Sequence, residues 1–313
     1  MASIAYVTDQ NMIEFHRLNG NKNMNFWRPS ASKKMVDFKA GDFLFFLAKG
    51  TQRGRRKEKG IIGYGKFVKS NLLSFNQTWK RYETLNGYPS KECLFEAIVK
   101  VTKDKQMPKQ LSCLELEDIV FFQAPIYLSE LGMKISNNIE SYIYLDKEDM
   151  LITNKILAKA QIIGVDAWTQ MFEDKKDKPF NNDALWSAIS NISEKINYSI
   201  YSVYESKRIN RYANGLIKQC EEAAFLPNNK SDFLQWENQK AIVWIPCIVN
   251  FSDYKIKLQY LIGHYMSYKA YISQLQDFDQ DTLSLWIVFN QDIDDDTKLM
   301  MEQFAISYKI TKE

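Results

Sequence analysis

Short apolar runs broken by turn residues fill the first 150 positions, and longer helical patterns fill most of the rest. Ile4-Ala5-Tyr6-Val7 reads as a first strand. Phe43-Leu44-Phe45-Phe46-Leu47, entered through the Ala40-Gly41-Asp42 turn, is a continuous apolar run, the pattern of a strand buried on both faces. Ile61 to Val68 reads as another strand, and Gly63 and Gly65 inside it predict a bulge or a close approach of backbones. Ser74 to Leu85 predicts a helix with Ser74 as N-cap and with Trp79 and Tyr82 on one face. Phe95 to Val101, Ile119 to Phe122 and Tyr142 to Leu145 read as further short strands. Many short strands with one or two helices predict a small β-barrel or a strongly curved sheet.

The pattern changes after residue 150. Leu151 to Phe172 mixes helical stretches, and Glu173 to Pro179 is a solvated charge run ending in proline. The domain junction is placed here, giving residues 1–150 as one domain, 151–185 as a helical linker and 186–313 as a C-terminal α/β domain. Trp186 to Phe225 reads as helical and Lys240 to Phe251 as a strand. Tyr254 to Leu275 is a helix with Leu261, Tyr265, Tyr268, Ile272 and Leu275 on one face. Leu283 to Phe289 is a strand, and Asp296 to Tyr308 a final helix. Strand–helix–strand order implies a right-handed crossover and a parallel strand pair. The fold class expected is therefore α+β.

Of the 313 residues 45% are hydrophobic, including 19 Phe, 17 Tyr and 7 Trp, which is enough to bury real cores and too much for a disordered chain. The net charge of +3 conceals an asymmetry. Residues 1–110 hold 21 Lys and Arg against 9 Asp and Glu, net +12, and the remainder holds 20 against 29, net −9. A basic half joined to an acidic half points to an anionic partner, or to two halves that face each other. The four cysteines, Cys93, Cys113, Cys220 and Cys247, form no C-x-x-C pair, and the histidines are His16 and His264. No ligands cluster at zinc spacing, so no metal site is expected. The N-terminus lacks a charged-then-apolar leader, and no apolar run approaches the ~18 residues of a membrane span. Reduced thiols in a cytoplasm are the simplest reading, with no membrane partner.

The most specific segment is Asn25-Phe26-Trp27-Arg28-Pro29-Ser30, followed by Phe38-Lys39-Ala40-Gly41-Asp42-Phe43-Leu44-Phe45 and by Ile62-Gly63-Tyr64-Gly65-Lys66-Phe67. A Trp79-centred helix ending at Asn86-Gly87, and Val120-Phe121-Phe122 before Ala124-Pro125-Ile126, continue the series. In this order the pieces resemble the PUA-like domain that precedes the HNH nuclease in bacterial restriction-type endonucleases, over about residues 20–150. The resemblance implies a PUA-like barrel that reads DNA, with modified bases as one possible target. A reader that extracts a base needs an aromatic wall and polar groups for the base edge. Asn25, Trp27 and Arg28, with Ser30, hold those groups, and Tyr64 between two glycines could approach a ligand closely. The competing reading puts Trp27 in the core and leaves Asn25 and Ser30 to cap turns.

The loop Thr51 to Gly60 sets Arg53, Arg55, Arg56, Lys57 and Lys59 against Glu58 alone. Guanidinium groups suit phosphate contacts, which position a protein without specifying sequence, and a solvated hairpin tip favours the same residues. The loop is longer than in the family pattern. The family's HNH half cannot be built from this chain's histidines. The C-terminal element order instead resembles the second half of a PD-(D/E)XK nuclease core, whose strand would carry a carboxylate and a lysine. Trp244 to Asn250 carries neither, leaving Asp232, Glu237 and Lys240 as displaced substitutes that would need Mg²⁺. Glu205, Glu221 and Glu222 lie on the preceding helices. His264 is expected at a core or edge position, and Asp292, Asp294, Asp295 and Asp296 at the start of the last helix read as caps. Arg208, Arg211 and Lys218 extend a DNA track or form a solvated face.

The chain is expected to be a DNA-binding protein of a restriction-like or phage-defence system that reads modified or flipped bases through its N-terminal domain, with no cofactor and with a C-terminal unit that acts as an effector or docks a partner or a second copy. The alternatives are a Mg²⁺-dependent nuclease and an RNA-binding regulator.

Overall fold

The computed structural model of the chain describes residues 3–29, 35, 37–55, 57–102, 104–136, 138–147, 149–171, 179–197, 199–227, 229–237, 240–275 and 283–312. Its backbone divides into two compact units, Met1–Ala184 and Leu185–Glu313. Both sheets and helices contribute to each, so the fold is α+β as expected.

In the first unit the chain runs through β1 (Ser3–Thr8), α1 (Gln10–Leu18), β2 (Met24–Arg28), β3 (Phe43–Arg53), β4 (Glu58–Leu73), α2 (Phe75–Tyr82), α3 (Lys91–Val101), β5 (Leu111–Ile126), β6 (Tyr142–Tyr144), α4 (Ile152–Ile163) and α5 (Ala167–Met171). The helix α6 (Pro179–Ile196) begins here and continues into the second unit. The six strands form one sheet in the order β2-β5-β4-β3-β1-β6. The Phe43–Ala48 run is buried throughout because β3 is central, flanked by β1 in parallel and by β4 antiparallel. That is the environment in which a strand reads as uniformly apolar.

The expected barrel is not closed by backbone pairing. β2 and β6 remain the two edges, and the sheet curls until its ends meet through side chains. Tyr6 on β1 sits 4.9 Å from Phe26 on β2, and the Arg28 guanidinium lies 5.6 Å from both the Tyr6 and the Tyr142 rings. The seam is thus filled by an arginine between tyrosines, because β6 has three residues and, among the described residues, pairs only with β1.

Local sequence explains most elements. Ser74 and Gln77 form a reciprocal capping box at the start of α2, and Asp9 accepts the Met12 amide at the start of α1. Phe95 to Val101, expected as a strand, is the body of α3 instead. Ser90 caps it, and Leu94 and Ile98 bury one face at i, i+4 spacing, while Phe95 and Val101 stay exposed. Density of apolar residues concealed the helical period there. The stretch expected as a linker folds with the first unit: the Gln123 amide donates to Gly164 O and the Asp166 amide to Phe121 O, each at 2.9 Å.

The second unit contains α7 (Val203–Ile217), β7 (Ala223–Phe225), β8 (Phe233–Glu237), β9 (Lys240–Cys247), α8 (Tyr254–Ile272), β10 (Leu283–Phe289), α9 (Asp295–Gln303) and β11 (Tyr308–Ile310). Its sheet has the order β11-β10-β9-β8-β7. β9, β10 and β11 are parallel and β7, β8 and β9 antiparallel, so the predicted parallel pair is β9 with β10. Alternation divides the strands cleanly. Val243, Ile245, Leu285 and Ile287 pack with Leu258, Leu261 and Tyr265 of α8, whereas Trp244 and Val288 pack with Ile209, Tyr212 and Leu216 of α7. The last helix ends at Gln303, earlier than expected, because Tyr308–Ile310 joins the sheet edge beside β10.

Candidate functional site

The Asn25-Phe26-Trp27-Arg28 motif is strand β2, and every residue of it is buried. Trp27 is 6% exposed, and its indole N–H donates to Asn86 O at 3.1 Å. Asn25 donates to Asn86 Oδ1 at 2.8 Å, and Asn86 donates back to Glu83 O at 2.7 Å. The motif therefore fastens the tight turn Glu83–Asn86 onto the sheet. Gly87 closes that turn with φ of 83°, and an added Cβ would come within 2.3 Å of Met12 Cγ. Trp27 and Asn25 present nothing to a ligand, which corrects their expected role as a base wall. Arg28 belongs to the tyrosine seam. Ser30 lies outside the described residues.

Tyr64 is likewise a core residue. Its ring packs against Phe43, Phe45 and Phe122, and its hydroxyl donates to Asp183 Oδ2 at 2.5 Å. Lys66, one step along the same face, pairs with Asp183 at 2.7 Å and with Asp118 at 3.0 Å. The neighbouring glycines serve the sheet rather than a ligand. A Cβ on Gly63 would stand 2.3 Å from Val120 O and one on Gly65 2.5 Å from Ile119 Cδ1, where the pairing of β4 with β5 shifts register. A bulge or close backbone approach was expected at these two positions.

The loop of cations is the turn of the β3–β4 hairpin, and its members divide. Arg53 is committed: its guanidinium lies 3.4 Å from the Tyr127 ring centroid and donates to Glu130 at 2.6 Å. Glu58 accepts from the Ser129 amide and hydroxyl, so Arg53 and Glu58 together bind the hairpin to the Leu128–Leu131 turn. Lys59 is buried, and burial together with the charge of Lys49 pulls its ammonium below the usual lysine range. Arg55 and Lys57 are exposed at the tip, Lys57 in the left-handed region with φ of 51°. Lys49 is exposed on the adjoining strand. These three form no ion pair among the described residues, and Arg56 lies outside them.

Charge is more local than the halves of the sequence imply. Residues 111–184 bring 7 Lys and Arg against 13 Asp and Glu, so the first unit carries a net of +6 and the second −3. Much of the first unit's positive charge is neutralised on the spot: Lys69 and Arg81 hold Glu115, and Arg17 holds Glu14 and Asp166. Cations remain exposed at the hairpin tip, as they do at Lys80, Lys100, Lys105, Lys109 and Lys134.

Beside the hairpin a cleft of about 180 Å³ opens between α1, β3 and β5. Ile13, Ile62 and Phe121 are among its apolar lining residues, and Gln10, Glu14, Arg17, Thr51 and Gln123 supply polar groups. Arg17 is held by Glu14 at 2.6 Å and Asp166 at 3.0 Å, which fixes one charged wall. A concave site with an apolar lining and a few convergent polar groups is the usual form of a small-ligand pocket. The sequence pattern alone does not disclose this cleft. Its signal was Asp9 as a cap followed by Met12, Ile13 and His16 on one face, with Glu14 and Arg17 at i, i+3, which marks α1.

In the second unit the proposed displaced nuclease residues do not meet. Asp232 is buried ahead of β8, and its carboxylate accepts from Asn229, Ser231 and Tyr268 and bonds His264 Nε2 at 2.7 Å. Burial opposes its ionisation. The His264 imidazole and the Ser231 and Tyr268 hydroxyls outweigh that and hold the carboxyl below the usual carboxylate range. Glu237 and Lys240 pair across the far end of the β8–β9 hairpin, five residues along an extended strand and so about 16 Å away. No group of three His, Cys, Asp or Glu able to hold a metal occurs among the described residues. His264 stands at a partly buried edge, stacked on Tyr260 at 5.9 Å. Asp294 accepts the Thr297 amide and caps α9, with Asp295 and Asp296 in its first turn. No helix among the described residues is long and apolar enough to cross a membrane.

No protein-family description matches the chain, and no curated protein matches it. Among solved structures, the ASCH protein of Zymomonas mobilis aligns at 16% identity with a TM-score of 0.34, covering 50% of this chain and 94% of that one. Two point mutants of the same protein align at 16% and 14% identity, also with TM-scores of 0.34, covering 50% of this chain and 96% and 95% of theirs.

Proposed function

We propose that the first unit binds nucleic acid, with the β3–β4 hairpin on phosphates and the adjoining cleft receiving a planar polar group such as a nucleobase. The observation that carries this reading is the run of exposed cations Lys49, Arg55 and Lys57, on a hairpin whose β3 strand also lines the cleft through Gly50 and Thr51. Arginine and lysine on an exposed turn suit phosphate oxygens, and these contacts position the chain without reading sequence. Carboxamides supply both donors and acceptors, as base edges require, so Gln10 and Gln123 are the groups that would discriminate. The narrower form of the reading is the sensing of a modified or extruded base within a restriction-like or phage-defence system.

The test is fluorescence anisotropy of the whole chain with matched DNA duplexes bearing plain, methylated or hydroxymethylated cytosine, and with single-stranded RNA, across a salt series. Salt-dependent binding supports the general reading, and tighter binding to one duplex that Gln123→Ala abolishes supports the narrower one. Preference for the RNA makes the chain an RNA binder. Absence of salt-dependent binding to every probe removes the proposal.

A further inference from the structure

Helix α7 offers a surface that the first unit's reading does not use. One stripe of it, Ile209, Tyr212, Ala213 and Leu216, is buried against the sheet of the second unit. The opposite stripe reads Tyr204, Lys207, Arg211, Asn214 and Lys218, spaced three, four, three and four residues apart, and all five are exposed. Such spacing places them in one line along the helix. Lys218 is the residue at the helix C-cap.

The charge pattern of that line is unlike an ordinary solvated face. A solvated helix interleaves both signs, and Glu with Lys at i, i+4 is the favoured arrangement. Here Lys207 and Arg211 are like charges at i, i+4, an arrangement that destabilises an isolated helix. The carboxylate of α7, Glu205, is already engaged by the Ser202 hydroxyl and by the buried ammonium of Lys257. Arg208 is also committed, to Asn250 Oδ1 at 3.1 Å and to the Phe251 ring. Asn210 donates to Lys230 O at 2.8 Å, which draws the exposed Lys230 alongside the helix. Lys207, Arg211, Lys218 and Lys230 form no ion pair among the described residues. Four such cations lie together in a unit whose net charge is −3, so general basicity of the unit does not account for them.

We infer that this face of α7 is a docking surface for the sugar-phosphate backbone of a nucleic acid strand. Lys207 to Lys218 spans about 16 Å along the helix, the length of several successive phosphates at about 3.4 Å of axis each. Asn214 adds an amide of the kind that donates to phosphate oxygens, and Tyr204, 70% exposed, adds an aromatic face at one end. Contacts of this kind add affinity and salt sensitivity without sequence preference. The surface is distinct from the hairpin and the cleft of the first unit, and its assignment stands whether or not the cleft takes a base.

The test uses the full chain and three variants: Lys207→Gln/Arg211→Gln/Lys218→Gln, the charge-retaining Lys207→Arg/Lys218→Arg, and the hairpin variant Arg55→Gln/Lys57→Gln. Each is titrated against a labelled DNA duplex and a labelled single-stranded RNA over a salt series, with thermal melts as a check on folding. The triple variant should flatten the slope of log K against log salt by about 2–3, because each lost phosphate contact removes about 0.9 on duplex and about 0.7 on single strand. Its affinity at low salt should fall at least tenfold, with the melt unchanged, and the arginine variant should keep the wild-type slope. A triple variant with wild-type slope, beside a hairpin variant that loses its own, overturns this surface and leaves the first unit's reading standing. A chain that binds neither probe overturns both.

Discussion

Strand β2 and the tip of the β3–β4 hairpin carry the same kinds of side chain and do opposite things. Both present arginine, and β2 adds the tryptophan and asparagine that base recognition would require. In β2 those groups turn inward: Trp27 and Asn25 are spent on Asn86, and Arg28 fills a seam between Tyr6 and Tyr142. At the hairpin Arg55 and Lys57 project from a turn with no carboxylate to pair with among the described residues. A planar donor that satisfies a base edge satisfies a buried carbonyl equally well. Residue type alone therefore cannot separate a binding motif from a structural one. What separates them is whether another element lies on top.

The sharpest way to break this comparison is Trp27→Ala. The substitution empties a large core site and strips Asn86 O of its donor, so the first unit should lose about 3–5 kcal/mol. Thermal or urea unfolding reads this directly. If Trp27→Ala instead melts like the parent and weakens nucleic-acid binding, β2 is a ligand surface and the contrast collapses.

A second difference lies in pH. His16 on α1 is fully buried under the same turn, with Asn21 Nδ2 donating to its Nδ1 at 2.9 Å. Burial pulls its pKa down from 6.5 to about 4. The folded chain thus holds the imidazole neutral where the unfolded chain protonates it. Stability is retained above pH 6.5 and falls as pH drops from there towards about 4, by about 3 kcal/mol at most. His16→Gln removes the titration. Unfolding free energies measured at steps across that window should show a shallower acid limb for the variant. Equal limbs would place His16 in contact with solvent and loosen the packing of the β2 region.

How far the sequence disclosed these regions follows from what each depends on. Local rules located β3, β4 and β10, since continuous apolar runs and flanking turns are visible within ten residues. They also located the Ser74 cap, the Asp294 cap and the parallel β9–β10 pair. They failed for α3, where seven apolar residues in eleven hide a helical period. They failed again for β2, because its burial is decided by β5, some ninety positions later, and by a turn at Asn86. The cleft was invisible for the same reason. Its walls come from α1, β3 and β5, and no single stretch of chain announces it. Asp232 shows the reverse error. Its spacing from Glu237 and Lys240 looked like a site, but an extended strand carries them apart and Asp232 turns to His264 instead.

The smallest expected effect on stability is also the most direct evidence for an outward-facing site. Arg55→Gln/Lys57→Gln removes two exposed charges that hold nothing in the fold, so unfolding free energy should stay within about 0.5 kcal/mol of the parent. On duplex DNA the same variant should lower the slope of log K against log salt by about 1.8, two contacts at about 0.9 each. It should weaken plain and modified duplexes alike, because backbone contacts carry no sequence information. The three quantities together discriminate. A stability loss of several kcal/mol would mean that the tip is packed like β2. An unchanged slope with unchanged stability would make the tip a solvated turn. A slope change confined to one modified duplex would move the hairpin from phosphate contacts to the base edge.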